Sequence, residues 1–491
     1  MKFLAKVRAL RYARTIAAVA AASVCVAASG APAFSQSGMA NGMTTSTLKL
    51  PQYRKTKLPN GLTLLLMERH NLPLVTFQVI VKSGSTSDPA GQEGMASVTA
   101  ALLRRGTKTR SADQFSQDLD FIGGSYGASA ASEYTDASAE FMKKDLDKGL
   151  DLLSQALLAP AFPDEEVTKL LRQRTDALKA AKDQAAGVIG AYYSAFLFGN
   201  SPYARPTTGD EQSLARIHRE DIAKFYETFY KPGNTILAAV GDFESAQMEK
   251  ELSAKFGAWA GGSLPSALAA KPAAATTGHR FLLVDKPDST QSYFRIGYMG
   301  IERTNPDRVY IQVVNTLFGG RFTSLINSAL RINSGLTYGA NSTFDQRKNG
   351  GAFFINSYTR NATTEQALDM SLDVLKKFKE QGITAEQLAS AKAYIKGQYP
   401  RNLETSDQVA SLIAQLEFYG LDRRDVDDYF AKIDAMTMAD ARRVIDKYYP
   451  LDNLVFVVVG KASEIGPVVK KYAPQIETRS ISDPGFGPAS R

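Results

Sequence analysis

The chain has 491 residues, too long for one ordinary domain, which predicts roughly two to four. An apolar fraction of 44% with 22% charged residues is typical of a globular protein with buried cores and excludes a disordered chain. The formal charge of +8 comes mostly from the first 33 residues, which hold five basic residues and no acidic one, so the remainder carries only +3. We therefore infer no nucleic-acid partner from the charge.

The first 33 residues have the three parts of a secretory signal peptide. A basic segment ends at Arg14, an apolar stretch covers 15–28, and Ala-Pro-Ala at 31–33 offers a small-residue cleavage site. The apolar stretch is shorter than the ~20 residues of a spanning helix, and a retained membrane anchor is the alternative interpretation. Cys25 is the only cysteine, so cleavage leaves a chain without disulfides. We expect residues 1–33 to be removed, and a periplasmic or secreted product without a membrane span.

Each half of the remaining chain has the same predicted order of elements. Extended apolar runs open the first half at Leu62–Met67 and Val75–Val81, and the second half at Phe281–Val284 and Tyr293–Tyr298. A long helix is predicted at Asp164–Lys182, because its first turn is acidic and its apolar residues recur on one face. Strands and helices do not alternate strictly, which predicts an α+β fold with a largely antiparallel sheet and packed helices in each half.

The two halves are an internal duplication. Residues 219–241 and 438–460 share a pattern at an offset of 219, in which Gly241 matches Gly460. Gly-Ser-Tyr-Gly-Ala at 124–128 matches Leu-Thr-Tyr-Gly-Ala at 336–340, at an offset of 212. A period of about 215 residues is too long for a solenoid and predicts two homologous domains.

A stretch of small residues and prolines separates the two halves and predicts a flexible linker. The predicted organisation is a signal peptide at 1–33, an N-terminal domain at 48–259, a linker at 260–278, a C-terminal domain at 279–475 and a tail at 476–491.

Several short motifs follow one another in the first half. They are Leu58-Pro-Asn-Gly-Leu62, Leu74-Val75, Gly84-Ser85, Gly94-Met95-Ala96 and Gly106-Thr107. As a set they resemble the opening of domains of the pitrilysin-like (M16) zinc metallopeptidase family, and the turn at Phe318–Ser324 extends the resemblance into the second half. The resemblance implies two homologous α+β domains hinged into a clam, with a clam-like cavity between them.

The resemblance also implies where a zinc site should lie. In active family members a helix after the Gly-x-Ala carries His-x-x-Glu-His, and a glutamate further along the chain completes the site. Two imidazoles one turn apart can hold zinc, and the glutamate beside them activates water. The corresponding positions here are Ser97, Ala100 and Ala101, with Leu178 or a neighbour at the distal position, and none is a usual zinc ligand. We therefore expect no metal site and no cofactor of its own in this chain.

The histidines offer no replacement for the missing ligands. None of them has a second histidine four residues away, and we interpret them as surface or loop residues. They are His70, His218 and His279.

The second half retains a pair of residues with catalytic chemistry. Arg331 and Tyr338, seven residues apart, resemble the arginine–tyrosine pair that the family's C-terminal domain directs at the catalytic zinc. A tyrosine hydroxyl can hydrogen-bond an oxyanion, and a guanidinium can bind a substrate carbonyl or carboxylate. The alternative is a surface arginine and a packed strand tyrosine, because Tyr126 holds the matching place in the first half. The resemblance implies catalytic roles for Arg331 and Tyr338.

The Gly-rich turn before residue 128 has two further interpretations. Residues 123–127 fit the G-x-S-x-G motif of serine hydrolases, with Ser125 as nucleophile, but the alternating pattern that follows favours a strand where that motif needs a helix. In the family, this strand is an edge to which a peptide substrate adds. The small side chains of Ala128 and Ala130 would let a guest backbone approach, although an ordinary strand with small surface residues is the alternative.

These observations predict a non-zinc-binding subunit of a two-chain M16-type peptidase. A zinc-bearing homologue would hold the Zn²⁺ as heterodimer partner, and this chain would supply Arg331, Tyr338 and part of the chamber wall around a peptide substrate. The competing hypotheses are a non-enzymatic peptide-binding or structural homologue, and a metal-free hydrolase that uses Ser125.

Overall fold

The computed structural model describes residues 49–264 and 277–487. The predicted signal peptide at 1–33, residues 265–276 of the predicted linker and the last four residues lie outside these ranges. Among the described helices, none combines the length and the apolar character needed to cross a membrane.

The first half forms a mixed sheet of six strands. Its order is β1-β2-β6-β3-β5-β4, and only the β2–β6 pair is parallel. Every residue of the central β6 is buried, as expected for a strand covered on both faces. The strands are β1 (Arg54–Lys57), β2 (Thr63–Glu68), β3 (Leu74–Val81), β4 (Ser125–Ala130), β5 (Thr135–Met142) and β6 (Thr235–Gly241).

The second half forms a matching sheet of six strands and a small two-stranded one. The strands are β7 (Arg280–Asp285), β8 (Gln291–Met299), β9 (Ile301–Glu302), β10 (Ala340–Phe344), β11 (Gln346–Arg347), β12 (Ala352–Arg360), β13 (Val455–Gly460) and β14 (Ile476–Ser480). The large sheet has the order β10-β12-β8-β13-β7-β14, and β9 pairs with β11.

Five strands of each sheet repeat in the same order, and only the edge strands β1 and β14 differ, since β1 is antiparallel to β2 and β14 is parallel to β7. In each, the last β-branched strand lies between a parallel partner and an antiparallel one: β6 between β2 and β3, and β13 between β7 and β8. Gly241 and Gly460 close these two strands. The predicted α+β class, with two homologous and largely antiparallel sheets, is therefore confirmed.

The first half has eight α-helices among the described residues. They are α1 (Met95–Leu102), α2 (Ala112–Phe121), α3 (Leu146–Leu158), α4 (Asp164–Lys182), α5 (Ala185–Phe198), α6 (Glu211–Leu214), α7 (Arg219–Phe229) and α8 (Ser245–Phe256). The predicted helix at Asp164–Lys182 is confirmed to the residue as α4. Three acidic residues in its first turn and two lysines in its last complement the helix dipole.

The second half has the corresponding set. The helices are α9 (Arg308–Phe318), α10 (Leu325–Asn327), α11 (Thr364–Gln381), α12 (Ala385–Gln398), α13 (Ser406–Tyr419), α14 (Arg424–Asp427), α15 (Tyr429–Ala435), α16 (Met438–Tyr448) and α17 (Ala462–Val469). A π-helical segment at Ser328–Asn333 directly continues α10.

The two halves exchange one helix each. Helix α5 belongs to the first half but packs against β8 and β13 of the second sheet, where Ile189 is buried. Helix α13 belongs to the second half but packs against β3 and β6 of the first sheet, where Ile413 is fully buried. Helix α5 is apolar nearly all round, as a helix enclosed by protein must be. This exchange joins the halves through two apolar cores.

Polar contacts reinforce the junction between the halves. Glu133, in the β4–β5 connection, accepts hydrogen bonds from the Tyr203 hydroxyl at 2.5 Å and from the Lys348 backbone N–H at 2.9 Å. The hydroxyl of Tyr419, on α13, donates to the same carboxylate at 3.3 Å. One side chain thus joins a first-half residue to two second-half residues.

The C-terminal segment departs from the predicted tail at 476–491. Residues 476–480 form β14, which pairs with β7 as the edge of the second sheet. Phe486, 4% exposed, packs edge-on against Tyr192 of α5 with ring centroids 5.1 Å apart. The prediction missed this strand because its alternating polar residues, typical of an exposed edge, resemble those of a surface tail.

Candidate functional site

A buried carboxylate holds the N-terminus of α1, the helix that carries Ser97, Ala100 and Ala101. Asp88 is 1% exposed and accepts hydrogen bonds from the backbone N–H groups of Gly94 and Ala96, at 2.7 and 2.8 Å. Gly94 has φ +95°, a left-handed conformation that favours glycine. Burial raises the pKa of Asp88 to about 7. The sequence analysis did not identify this cap.

The metal-ligand positions of α1 carry no group that binds zinc. Ser97 is 8% exposed, Ala100 is fully buried, and Ala101 packs against the first core. Ser97 and Ala101 are one helical turn apart, so the spacing that would hold two imidazoles is preserved. A hydroxyl and a methyl group stand in their place, and Ala100 supplies no carboxylate. These residues do not fit a zinc ion.

The surroundings of the distal position also oppose a metal. Leu178 is buried in the apolar cluster that α5 forms with the second sheet. One turn earlier on α4, which packs against α1, burial and the nearby charge of Arg105 lower the pKa of Arg174. Arg105 is paired with Glu166 at 3.3 Å, so Arg174 is the cation beside this position whose charge opposes an added metal ion. The proximity of Arg105 and Arg174 was not predicted, because the two residues are far apart in the chain.

The three histidines lie in loops, as predicted, and His70 and His218 are exposed. His70 follows β2, His218 precedes α7, and His279 precedes β7. His279 Nδ1 accepts a hydrogen bond from the Leu454 backbone N–H at 3.0 Å. None of the three reaches α1 through a hydrogen bond or ion pair among the described contacts.

Strand β4 is an edge of the first sheet, because it pairs only with β5 within the described ranges. Ala128 and Ala130 are partly buried and pack against the first core, on the same face as Tyr126. The Arg104 guanidinium donates to the carbonyl of Tyr126 at 3.1 Å, so one acceptor of this strand is already occupied. A peptide that adds to β4 therefore meets the backbone of the strand, while the two alanine side chains face inwards.

Ser125 lies at the start of β4 and is exposed. A strand follows it where a nucleophile elbow requires a helix, which agrees with the preferred interpretation of this turn as a feature of the fold. In the part of the chain that the structure describes, no histidine contacts Ser125 to serve as its base.

Arg331 lies on the π-helical segment at 328–333. Short π-helical stretches are rare and frequently occur at functional sites. The Arg331 guanidinium stacks 4.7 Å above the ring of Phe322, which is itself 60% exposed. This contact holds the cationic group at the protein surface.

Tyr338 is an exposed residue in a loop whose backbone is held by hydrogen bonds. Its side chain is 79% exposed, two residues before β10. The loop before it is fixed by the Leu336 N–H, which donates to the Leu330 carbonyl at 2.9 Å, and by the Thr359 hydroxyl, which donates to the Leu336 carbonyl at 2.8 Å. The backbone is therefore anchored while the hydroxyl remains free to bind a ligand.

The matching tyrosine of the first half is in the opposite environment. Tyr126 is 6% exposed, its ring packs edge-on against Phe115 at 5.8 Å, and burial raises its pKa. The alternative interpretation of Tyr338 as a packed strand residue therefore describes Tyr126 and not Tyr338.

Two family models match the chain. The model described as insulinase (peptidase family M16) matches residues 64–211, and the model of the peptidase M16 inactive domain matches residues 216–395. Together they cover most of both halves.

The chain is similar in sequence to several bacterial proteins that are named zinc proteases. An uncharacterized zinc protease of Streptomyces coelicolor is 25% identical over 398 residues, covering 80% of this chain and 86% of that protein. The uncharacterized zinc protease YmxG of Bacillus subtilis is 22% identical over 380 residues, covering 77% of this chain and 91% of the relative.

Solved structures share the fold. A peptidase M16 inactive domain from Pseudomonas fluorescens superposes with a TM-score of 0.79 at 23% identity, covering 84% of this chain and 98% of that one. A protease from Helicobacter pylori superposes with a TM-score of 0.78 at 22% identity, covering 84% and 100%. With both family models matched in order along a duplicated chain, this protein belongs to peptidase family M16.

Proposed function

We propose that this chain is the non-zinc-binding subunit of a two-chain M16-type peptidase, located in the periplasm or secreted. A zinc-bearing homologue supplies the metal and its ligands, and the pair cleaves peptides or unfolded segments. One observation carries the proposal: the metal-ligand positions of α1 have no donor, while Arg331 and Tyr338 remain at the surface.

Tyr338 is suited to act on a substrate bound by the partner. A phenolic hydroxyl on an anchored backbone donates a hydrogen bond to the oxyanion that develops on a scissile carbonyl. Its 79% exposure lets it enter a cavity formed with a second chain. Arg331, held over Phe322, offers a planar guanidinium that binds a substrate carbonyl or carboxylate through two hydrogen bonds.

The peptide itself would add to strand β4. Edge strands bind extended peptides through backbone hydrogen bonds, which gives affinity without strict sequence preference. Ala128 and Ala130 lie on the core face of this strand, so their small side chains would neighbour the inward-facing side chains of the guest peptide. Arg104 limits the exposed acceptors at Tyr126, so the guest strand would pair with the segment beyond it.

The alternative is a non-enzymatic peptide-binding or structural homologue. The same edge strand favours it, since β-strand addition needs neither a metal nor a catalytic tyrosine. The two proposals differ in whether loss of the Tyr338 hydroxyl affects any reaction.

The test is isolation of the chain from its native compartment with whatever binds it. Export is first verified by N-terminal sequencing, which should begin after residue 33. The co-purified material is then analysed for zinc and for a second chain with His-x-x-Glu-His. We expect one tightly bound zinc in the partner, held by its His-x-x-Glu-His motif, and none at Ser97, Ala100 and Ala101 of this chain. A chain that purifies without such a partner, and with no cleavage in its native extract, would favour the alternative.

A further inference from the structure

A cluster of side chains that can bind a metal lies at the carboxyl ends of β2 and β6 in the first sheet. None of its members belongs to α1 or α4, the helices that carry Ser97 and Leu178. Strands β2 and β6 are parallel, and their register pairs Glu68 with Gly241 at their carboxyl ends. His70 follows β2 by two residues, and Asp242 follows β6 directly. Glu244 immediately precedes α8 and is its N-cap residue. The ends of two paired strands and the start of α8 therefore bring these residues together.

The ligand atoms of this cluster are spaced for one metal ion. One nitrogen or oxygen from each of Glu68, His70 and Glu244 lies within 4.8 Å of the others. His70 Nε2 is 3.5 Å from Glu68 Oε2. Ligand atoms roughly 2.0–2.2 Å from a tetrahedral zinc ion are about 3.3–3.6 Å from one another. The distance between His70 Nε2 and Glu68 Oε2 is in this range.

The other ring nitrogen of His70 has the partner that a metal-bound imidazole requires. His70 Nδ1 is 2.7 Å from Asp242 Oδ1, and a hydrogen bond there leaves the Nε2 lone pair free towards the two glutamates. Lys143 Nζ also contacts this aspartate, at 2.9 Å. The carboxylate thus fixes the tautomer and the orientation of the imidazole ring.

Glu68 is oriented in a similar way. Its Oε1 accepts a hydrogen bond from the Ser245 backbone N–H at 2.7 Å, which turns Oε2 towards His70. Among the three carboxylates of the cluster, only Asp242 contacts a lysine in the described residues, Lys143, which leaves an excess of negative charge at Glu68 and Glu244. A divalent cation compensates this excess.

We propose that Glu68, His70 and Glu244 bind one divalent transition-metal ion of the zinc type, with Asp242 as the positioning residue. The imidazole nitrogen favours zinc and its neighbours over Mg²⁺ and Ca²⁺, which prefer all-oxygen sites. The ligands are exposed, so the ion enters from solution and occupies a reversible site with an open position for water. Its structural effect is to fasten the ends of β2 and β6 to the start of α8.

The test is a zinc titration of the purified chain, stripped with a chelator and followed by calorimetry. We expect one Zn²⁺ per chain, and a visible absorption spectrum typical of a nitrogen–oxygen site when Co²⁺ is used instead. His70→Ala and the isosteric Glu244→Gln should remove binding at concentrations that saturate the unsubstituted chain. Asp242→Asn should weaken it about 10–100-fold.

His218→Ala is the matched control, because it removes an exposed histidine that belongs to no such cluster in the described residues. It should bind zinc as the unsubstituted chain does. Equal binding by His70→Ala and the control, or no binding by the unsubstituted chain at millimolar Zn²⁺, would overturn the proposal. The experiment needs no partner and no substrate, so its outcome is independent of the proposed peptidase role.

Discussion

Tyr126 and Tyr338 share a Tyr-Gly-Ala sequence at an offset of 212, yet Tyr126 lies within β4 and is 6% exposed, whereas Tyr338 lies two residues before β10 and is 79% exposed. The Tyr-Gly-Ala sequence is thus common to both copies of the fold, while an accessible hydroxyl is present only in the second. The buried tyrosine stabilises the fold, and only the exposed one, Tyr338, is available for the catalytic role that we propose.

The chain alone should not cleave unfolded peptides, and chelators should leave its behaviour in that assay unchanged. The reason is the set Ser97, Ala100, Ala101 and Leu178, which offers no imidazole, thiolate or carboxylate. Mass spectrometry of the metal content of the His70→Ala variant is the measurement, because that variant lacks the proposed surface site. A tightly held zinc in this variant, together with chelator-sensitive cleavage, would contradict the account.

The exchanged helix α13 should stabilise the first half as well as its own. Ile413→Ala removes a fully buried side chain from the contact with the first sheet, and should lower the free energy of unfolding by about 2–5 kcal/mol. Trp259, the only tryptophan, packs against the first core and reports the unfolding of that half by fluorescence.

The control for this prediction is Asp373→Ala, on the exposed face of α11, which should change stability by less than about 0.5 kcal/mol. Urea unfolding followed by tryptophan fluorescence decides between the outcomes. An unchanged Trp259 transition in Ile413→Ala would mean that α13 contributes nothing to the first half.

Asp88 should make the stability depend on pH. Its pKa of about 7 in the folded chain is above its usual value, so the folded state binds the proton more tightly than the unfolded state does. The contribution of this group is complete below about pH 4 and is lost as the pH rises through about 7. Relative to Asp88→Asn, the unsubstituted chain should lose about 2–3 kcal/mol between about pH 5 and pH 8.

Urea unfolding of both chains at several pH values measures this difference. Because the asparagine cannot ionise, the other titrating groups cancel in the comparison. A difference that is flat or grows with pH would indicate that the N–H groups of Gly94 and Ala96 keep the carboxylate ionised throughout.

The sequence was sufficient for features that depend on local or repeated patterns. The ends of α4 followed from its acidic first turn, and the equivalence of Gly241 and Gly460 followed from the repeat. The exposure of Tyr338 did not follow, since the same Tyr-Gly-Ala sequence has a buried tyrosine, Tyr126, in the first half.

Features that depend on distant contacts were not predictable from one sequence. Glu244 meets His70 only because β2 and β6 are parallel neighbours, and no local pattern connects them. The exchange of α5 and α13 likewise arises from packing between halves. An apolar helix indicates that it is buried, but not against which sheet.

Arg331→Ala should impair the proposed two-chain peptidase in both substrate binding and turnover. A guanidinium that holds the bound substrate acts in the ground state and in the transition state, so KM should rise while kcat falls. Steady-state kinetics with the reconstituted pair measure both quantities. An unchanged KM would contradict a role of Arg331 in substrate binding and would leave its contact with Phe322 as its only assigned role.

The central claim is that Tyr338 of this chain acts on a reaction whose zinc lies in another chain. The most direct measurement is cleavage of a quenched fluorescent peptide by the reconstituted pair, with the unsubstituted chain, Tyr338→Phe and Tyr126→Phe compared. Tyr126→Phe is the matched control, because its buried hydroxyl has no hydrogen-bond partner among the described residues. We predict that Tyr338→Phe lowers kcat by about 10²–10³-fold, with assembly and zinc content unchanged, and that Tyr126→Phe has no effect. Equal rates for Tyr338→Phe and the unsubstituted chain would contradict the account.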